Sequence, residues 1–246
     1  MPRELLQIEN WFTELKREST EKLNSLDLGL FMEVRSQLLN HDFYIESGQD
    51  IKDAARESTI RTFGWPIALV MDNVDEFSPK ARNWGIRAEI SITDRDSNSY
   101  DFWAIRKDGS FFMLKSLFED QREKGKTRIF FDTRIIRTAE TLMYLKNLYR
   151  NLGIADEQEI RIGIGYKGFK GRILGAAGNR LIFENRTSEE NEFYEEIETT
   201  LEELESSLPE LVDRFTRPLF GLFDFFEVDF KIVEEIVNKY KKGIVS

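Results

Sequence analysis

Hydrophobic residues recur with two different spacings along this chain, and each spacing predicts one kind of element. Over residues 4–24 apolar side chains return every three or four positions between charged ones, which predicts an amphipathic helix. Residues 28–39 and 51–63 are interpreted as two shorter helices, and 133–153 as a longer one that Gly153 ends. The N-terminal part of the chain is therefore expected to be helical.

Alternating apolar and polar residues in the middle of the chain predict antiparallel strands. In residues 99–119 two apolar runs flank Lys107-Asp108-Gly109-Ser110, and Asp-Gly supplies the positive-φ positions of a tight hairpin. Pro66 stands at the start of another apolar run, where a missing amide hydrogen is tolerated. Further strands are predicted over 63–73, 86–94, 128–132 and 157–166, with another pair over 171–185.

The pattern after residue 188 is helical again. Apolar residues continue at helical spacing to Phe215, and Pro209 is expected to restart the helix after a break. The last segment, residues 218–243, is so rich in aromatic residues that most of them are expected in the core, with the remainder forming a partner or dimer interface.

Together these patterns predict an α+β fold: a mostly antiparallel central sheet with flanking helices, a helical N-terminus and a long helical C-terminus. Three segments are expected within one globular unit. They are a helical segment (1–57), a sheet-containing core (58–186) and a helical segment packed on that core (187–246).

Composition excludes several classes of site. The chain of 246 residues is 41% hydrophobic, enough for a buried core, and it has no cysteine and one histidine, His41. Disulfides, thiolate zinc sites, cysteine nucleophiles and histidine metal clusters are thereby excluded, and a Ser-His-Asp triad has little support. We expect no cofactor. No stretch reaches the roughly 18 to 20 apolar residues of a membrane span and the start lacks a signal layout, so a cytoplasmic protein is expected.

The net charge of −10 is unevenly distributed. Residues 1–100 have 12 Lys/Arg and 18 Asp/Glu, residues 101–182 have 16 and 10, and residues 183–246 have 7 and 17. The basic middle is interpreted as neutralised within the fold by the acidic ends, and the acidic stretch 184–210 as the solvated face of a helix. The alternative is a polyanion-binding face.

The glycine-rich stretch GYKGFKGRILGAAGNR, residues 165–180, resembles a phosphate-binding loop only superficially. Such a loop lies between a strand and a helix N-terminus, whereas here strand-like residues stand on both sides. We interpret it as a turn between strands that exposes Lys167, Lys170 and Arg172 to solvent. Contact of these cations with a phosphate backbone is a separate hypothesis.

Acidic residues suggest a weaker hypothesis, a magnesium site. Asp72, Asp75 and Glu76 follow a predicted strand, and Asp132 is a further weak candidate, but no spacing places a second matching cluster. The sequence therefore assigns no metal ligand.

One family resemblance rests on four stretches: FGWPIALVMDN, FWAIRKDGSFFMLKSLFED, RIFFDTRIIRTAETLMYLKNLYRNLGI and IRIGIGYKGFKGRILGAAGNR. Its most specific elements are Ser116-Leu117-Phe118-Glu119-Asp120, Phe131-Asp132-Thr133-Arg134 with Arg137, and Gly168 with Gly171-Arg172. Over residues 58–242 the chain resembles the C-terminal domain of bacterial proteins that begin with a Schlafen-type, AlbA-like DNA-binding domain. The first 57 residues are too short to be that DNA-binding domain, so DNA binding does not transfer with the resemblance.

The resemblance implies a partner-like or regulatory module in a bacterial system that handles nucleic acid, with defence against mobile elements as one setting. Our leading hypothesis is a non-catalytic interaction module that binds a protein partner or a second copy of itself. In it, Arg134 and Arg137 order a loop or meet an acidic partner.

Two alternatives remain open at this point. The first is direct nucleic-acid binding by the basic middle region, with affinity that falls steeply with salt. Its candidate residues are Arg106, Lys107, Lys115, Arg134, Arg137, Lys167, Lys170, Arg172 and Arg180. The second is a metal-dependent phosphoesterase. Its candidate residues are Asp72, Asp75, Asp132 and Glu140.

Overall fold

Seven strands form one antiparallel sheet, and helices lie on both of its faces. The structure is a computed structural model that describes residues 3–60, 64–94, 98–121, 127–177, 186–225 and 228–244. The helices in these ranges are α1 (Arg3–Ser25), α2 (Gly48–Glu57), α3 (Phe131–Asn151), α4 (Leu201–Ser206), α5 (Leu208–Gly221) and α6 (Phe230–Lys241). The strands are β1 (Phe31–Leu38), β2 (Lys80–Arg82), β3 (Gly85–Thr93), β4 (Asn98–Arg106), β5 (Phe111–Ser116), β6 (Arg128–Phe130), β7 (Glu159–Lys167), β8 (Ile173–Gly175) and β9 (Glu192–Thr200).

The strand order is β2-β3-β4-β5-β1-β7-β9, so β1 lies inside the sheet between strands that come much later in the chain. Strands β6 and β8 form a separate parallel pair. The predicted α+β class and its antiparallel sheet are confirmed.

The β4–β5 hairpin forms where its turn residues predict it. Gly109 has φ +82°, and the Asp108 carboxylate accepts a hydrogen bond from the Ser110 amide at 2.9 Å. This turn sets the register of the two strands and brings Asp101 opposite Lys115.

Helix α1 covers one face of the sheet, as its predicted apolar stripe requires. Trp11, Phe12 and Leu15 pack in one buried cluster with Phe102 of β4 and Phe112 of β5. Burying an apolar side chain of this kind contributes about 1.5–3 kcal/mol. The packing of this stripe therefore holds α1 on the sheet.

Helices α3, α5 and α6 lie on the other face, over the main core. That core includes the alternating Ile160, Ile162 and Ile164 of β7, and it takes residues from all three segments defined from the sequence. Helix α3 ends before Gly153, which has φ +80° as predicted. Pro209 lies in the first turn of α5, and most of the aromatic cluster after it is buried. No helix in the described ranges is long and apolar enough to cross a membrane.

Two segments predicted as helices contain strands instead. Residues 28–39 contain β1, in which Met32 and Val34 face the main core while Phe31 packs under α1. A strand covered on both faces is apolar at successive positions, which hides its period of two. In β9 the buried Ile197 and Thr199 alternate with exposed glutamates. The wrong prediction came from Phe193, Ile197 and Leu201, whose spacing of four also fits a helix.

Smaller differences concern the ends of elements. The segment 64–79 begins as an irregular loop rather than as the predicted strand over 63–73, because Pro66 offers no amide hydrogen and Ala68 has φ +46°. Strand β6 ends at Phe130, where α3 begins, and α2 ends before the predicted limit at residue 63. Of the predicted strand pair over 171–185, the structure gives β8, and residues 178–185 lie outside the described part.

Candidate functional site

A cavity of about 720 Å³ lies beside the first two turns of helix α3, and we name it the α3 cavity. Strands β4 and β5 form one side, α3 another, and the start of the loop 64–79 a third. Its lining residues are Met32, Gly64, Trp65, Ile67, Ile92, Ser99, Tyr100, Asp101, Lys115, Ser116, Leu117, Phe118, Phe130, Asp132, Thr133, Arg134, Ile136, Arg137, Ala176 and Ala177.

Aromatic rings form much of the wall of the α3 cavity. Trp65 and Tyr100 line it together with Phe118 and Phe130, whose rings stack with their centroids 6.0 Å apart and an angle of 11° between planes. Rings in these positions offer flat apolar surface to a bound molecule.

A buried ion pair stands on the sheet side of the cavity. Lys115 Nζ lies 2.6 Å from Asp101 Oδ2, and the two side chains are only 10% and 2% exposed. The same ammonium donates to the Pro66 carbonyl at 3.3 Å and lies 5.8 Å from the Trp65 ring centre. Asp101 Oδ1 has no hydrogen-bond partner among the described residues. Because a buried carboxylate oxygen loses its contact with water, an acceptor without a partner is costly.

Asp132 stands at the N-terminus of α3, where a carboxylate is favoured by the helix dipole. It accepts a hydrogen bond from the Thr133 amide at 2.9 Å and from the Ala177 amide at 3.0 Å. This carboxylate therefore ties the start of α3 to the segment after β8.

Arg134 forms the second buried ion pair, one turn into α3. Its side chain and that of Glu119 are 0% exposed, and Arg134 NH2 donates to Glu119 Oε1 at 2.8 Å. The guanidinium carbon lies 5.5 Å from the ring centre of Tyr166, whose hydroxyl has a pKa raised by burial. The Nε and NH1 groups make no hydrogen bond of standard geometry with described residues.

Arg137 joins α3 to the loop 64–79. It donates to Glu140 and, at 3.0 Å, to the Trp65 carbonyl. Burial raises the pKa of Glu140, and Arg137 partly opposes that shift. The indole of Trp103 donates to the Leu69 carbonyl at 2.9 Å, so side chains from β4, β5 and α3 all bind carbonyl groups of this loop.

The structure thus brings Lys115, Arg134 and Arg137 together out of the cations predicted from the sequence. The others lie elsewhere: Arg106 pairs with Asp108 at 2.9 Å, and Lys107 lies 5.7 Å from the ring centre of Tyr44. Of the predicted set, Arg180 lies outside the described part.

The glycine-rich turn differs from its prediction. It joins β7 and β8, which belong to different sheets, and only Lys170 among its three described cations is largely exposed. Lys167 pairs with Glu192, and Arg172, whose side chain is 12% exposed, pairs with Asp120. Arg172 is therefore a packing residue and does not extend into solvent.

The carboxylates considered for a metal ion are not gathered. Asp72 contacts Lys52 and Arg56 of α2, and its pKa is lowered first by the hydrogen bond from Lys52. Asp75 accepts a bond from Lys80 through its backbone carbonyl, at 2.6 Å. In the described ranges no group of three or more His, Asp or Glu side chains could hold a metal ion.

Sequence reasoning missed the anionic and aromatic members of the site. Trp65 and Tyr100 have no distinguishing spacing in the sequence. Asp101 could have been found, because the predicted hairpin turn implies the register that places it opposite Lys115, a charged pair inside two apolar strands.

No protein family, curated protein or solved structure matches this chain. The resemblance to the domain that accompanies Schlafen-type proteins, and the bacterial setting it implies, stay predictions.

Proposed function

We propose that this chain is a non-catalytic regulatory module that binds a small organic molecule in the α3 cavity. The observation that supports this function is a cavity of about 720 Å³ with aromatic walls and a few buried charged groups. Sites for small molecules typically have volumes of roughly 300–1,000 Å³, apolar walls and a small number of convergent polar groups.

The pairing of the charges favours binding over catalysis. Lys115 is held by Asp101 and Arg137 by Glu140, so each charge already has a partner inside the protein. A general acid, a base or a nucleophile needs a group within reach of the reacting atom and with a suitable pKa. Ion pairs of this kind instead give the cavity a defined shape and polarity.

The loop 64–79 is the element through which binding would be transmitted. Trp65 lines the cavity, and its carbonyl is held by Arg137. A molecule that packs against Trp65 stabilises this loop position over others, which is a population shift. We propose that a protein partner, or a second copy of the chain, recognises the loop in that position. The resemblance would place such a module in a bacterial system that handles nucleic acid.

Direct nucleic-acid binding receives less support from the same contacts. Six of the nine cations considered for it, Arg106, Lys115, Arg134, Arg137, Lys167 and Arg172, pair with carboxylates of the chain. Contact with phosphates would have to compete with these partners.

The test is a thermal-stability screen of the purified chain against a library of metabolites. A ligand of the cavity should raise the unfolding temperature of the wild type and not that of Ala177→Trp, in which an indole is added to the cavity wall. Ala81→Trp is the matched control, because Ala81 is an exposed alanine of β2 outside the cavity. Stabilisation that persists in Ala177→Trp would place the binding elsewhere and contradict the proposal.

A further inference from the structure

We infer that the molecule bound in the α3 cavity is a nucleotide, held through its base. This inference rests on the proposed function and names the ligand class for the same site. Two features support it: the hydrogen-bonding pattern of the Asp101–Lys115 pair and the flat aromatic walls beside it.

Within the described residues, the ion pair leaves one acceptor and one donor unused. Asp101 Oδ2 accepts from Lys115, while Oδ1 is buried without a partner among the described residues, and Asp101 as a whole is 2% exposed. An ammonium has three N–H groups, and those of Lys115 serve Asp101 and the Pro66 carbonyl, which leaves one. Because both residues line the cavity, a carboxylate acceptor and an ammonium donor lie side by side in its wall.

The complementary ligand has an N–H donor next to a carbonyl or ring-nitrogen acceptor. That pair lies along the hydrogen-bonding edge of every nucleobase, as N–H beside oxygen in guanine and uracil and as amino group beside ring nitrogen in adenine and cytosine. A carboxylate that accepts from a base amino group is a standard contact in recognition of bases.

The walls suit a flat ring. The Trp65 ring centre lies 5.8 Å from the Lys115 ammonium, and the stacked Phe118 and Phe130 line the same cavity. Stacking on aromatic side chains is the general way in which proteins hold bases that are not paired. The volume of about 720 Å³ holds a nucleotide.

Arg134 adds a second set of donors on the α3 side. It lines the cavity with a fully buried side chain, and its Nε and NH1 groups make no standard hydrogen bond in the described part of the chain. A ribose or phosphate oxygen that reaches this guanidinium at the N-terminus of α3 would accept from it.

The same base could come from a free mononucleotide or from an unpaired position of a strand, and calorimetric titration with two kinds of probe separates these sources. The probes are the four ribonucleoside 5′-monophosphates and single-stranded homopolymers of about 12 nucleotides. We expect saturable binding of at least one monophosphate. Binding of the homopolymer of the same base, with the same response to the variants below, would identify a strand as the source.

Two variants test the assigned contacts. Asp101→Asn removes the charged acceptor and should weaken nucleotide binding about tenfold or more. Trp65 is a half-buried loop residue, and Trp65→Ala should weaken binding to a similar degree through lost stacking. Trp84→Ala is the matched control, since Trp84 is a half-buried tryptophan that packs on Trp11 under the opposite face of the sheet. Its affinity should equal that of the wild type.

The outcomes separate this inference from the proposed function. If no nucleotide or homopolymer binds while another molecule stabilises the wild type and not Ala177→Trp, the proposed function holds and the ligand class is wrong. If nothing binds in the cavity, both are wrong. Nucleotide binding that Trp65→Ala and Asp101→Asn leave unchanged, in variants that unfold cooperatively, would also overturn the inference.

Discussion

The ion pair between Arg134 and Glu119 is wholly buried, so its two charges depend on each other for stability. The guanidinium and the carboxylate are 2.8 Å apart and 0% exposed. Removing one partner leaves the other charge buried without compensation, which costs about 3–5 kcal/mol. We therefore expect Arg134→Met and Glu119→Met each to lower the free energy of unfolding by that amount.

The double variant should be far more stable than the sum of the single changes. With methionine at both positions no charge remains to be desolvated, and replacements of this kind are often neutral or stabilising. We expect it to lie within about 2 kcal/mol of the wild type, which corresponds to an interaction free energy of at least about 4 kcal/mol. Urea denaturation followed by tryptophan fluorescence measures all four proteins, provided that their m values agree.

The exposed pair of Lys239 and Glu235 is the control for this cycle. These side chains lie 2.7 Å apart, one turn apart on α6, and are 45% and 46% exposed. Their interaction free energy should not exceed about 0.5 kcal/mol. Additive losses for the Arg134 and Glu119 variants would refute the argument, because they would show that neither charge depends on the other.

Three further predictions concern the glycine-rich turn and helix α3. Gly168→Ala should lower the free energy of unfolding by at least about 2 kcal/mol, because a Cβ at φ +99° would lie 2.4 Å from a backbone oxygen. Gly171→Ala, at φ +76° in open space, should lower it by only about 1 kcal/mol. Equal losses in urea titrations would contradict the close approach at Gly168. Arg172→Glu should lower the free energy of unfolding by about 2 kcal/mol in the same assay, because Arg172 is paired with Asp120 and mostly buried. Lys170→Glu, at an exposed residue, should lower it by less than about 0.5 kcal/mol. A reversed order would contradict the packing role of Arg172. Burial raises the pKa of Glu140, so the folded chain binds this proton more tightly than the unfolded chain. The wild type should therefore lose stability relative to Glu140→Gln as the pH rises from the ordinary carboxyl range through the raised pKa. Parallel curves of urea midpoint against pH for the two proteins would contradict this.

The local features of the fold could be predicted from the sequence. The apolar stripe of α1, the Asp-Gly turn of the β4–β5 hairpin and the glycine after α3 each depend on neighbouring residues, and each is found as expected. Strand β1 could not be predicted, because its run of apolar residues results from burial under α1 on one side and under the main core on the other. Which elements cover a strand is decided by distant parts of the chain.

The candidate site was predictable only in part for a related reason. Lys115, Arg134 and Arg137 were chosen for their charge, but the sequence did not show that each has a carboxylate partner inside the fold. The resulting cavity combines residues from strands, a loop and a helix that are far apart in the chain. A local motif therefore cannot encode it, although the Asp101–Lys115 register follows from the hairpin turn.

The central position of β1 affects how the protein is made. Residues 31–38 leave the ribosome before their partners, which are residues 111–116 on one side and 159–167 on the other. Until both have been synthesised, β1 has two unsatisfied edges, the kind of surface that pairs with other chains. Such distant pairing also slows folding, because large loops must close before the contacts form. A product truncated before residue 159 would lack one partner of β1, and we expect it to aggregate rather than fold.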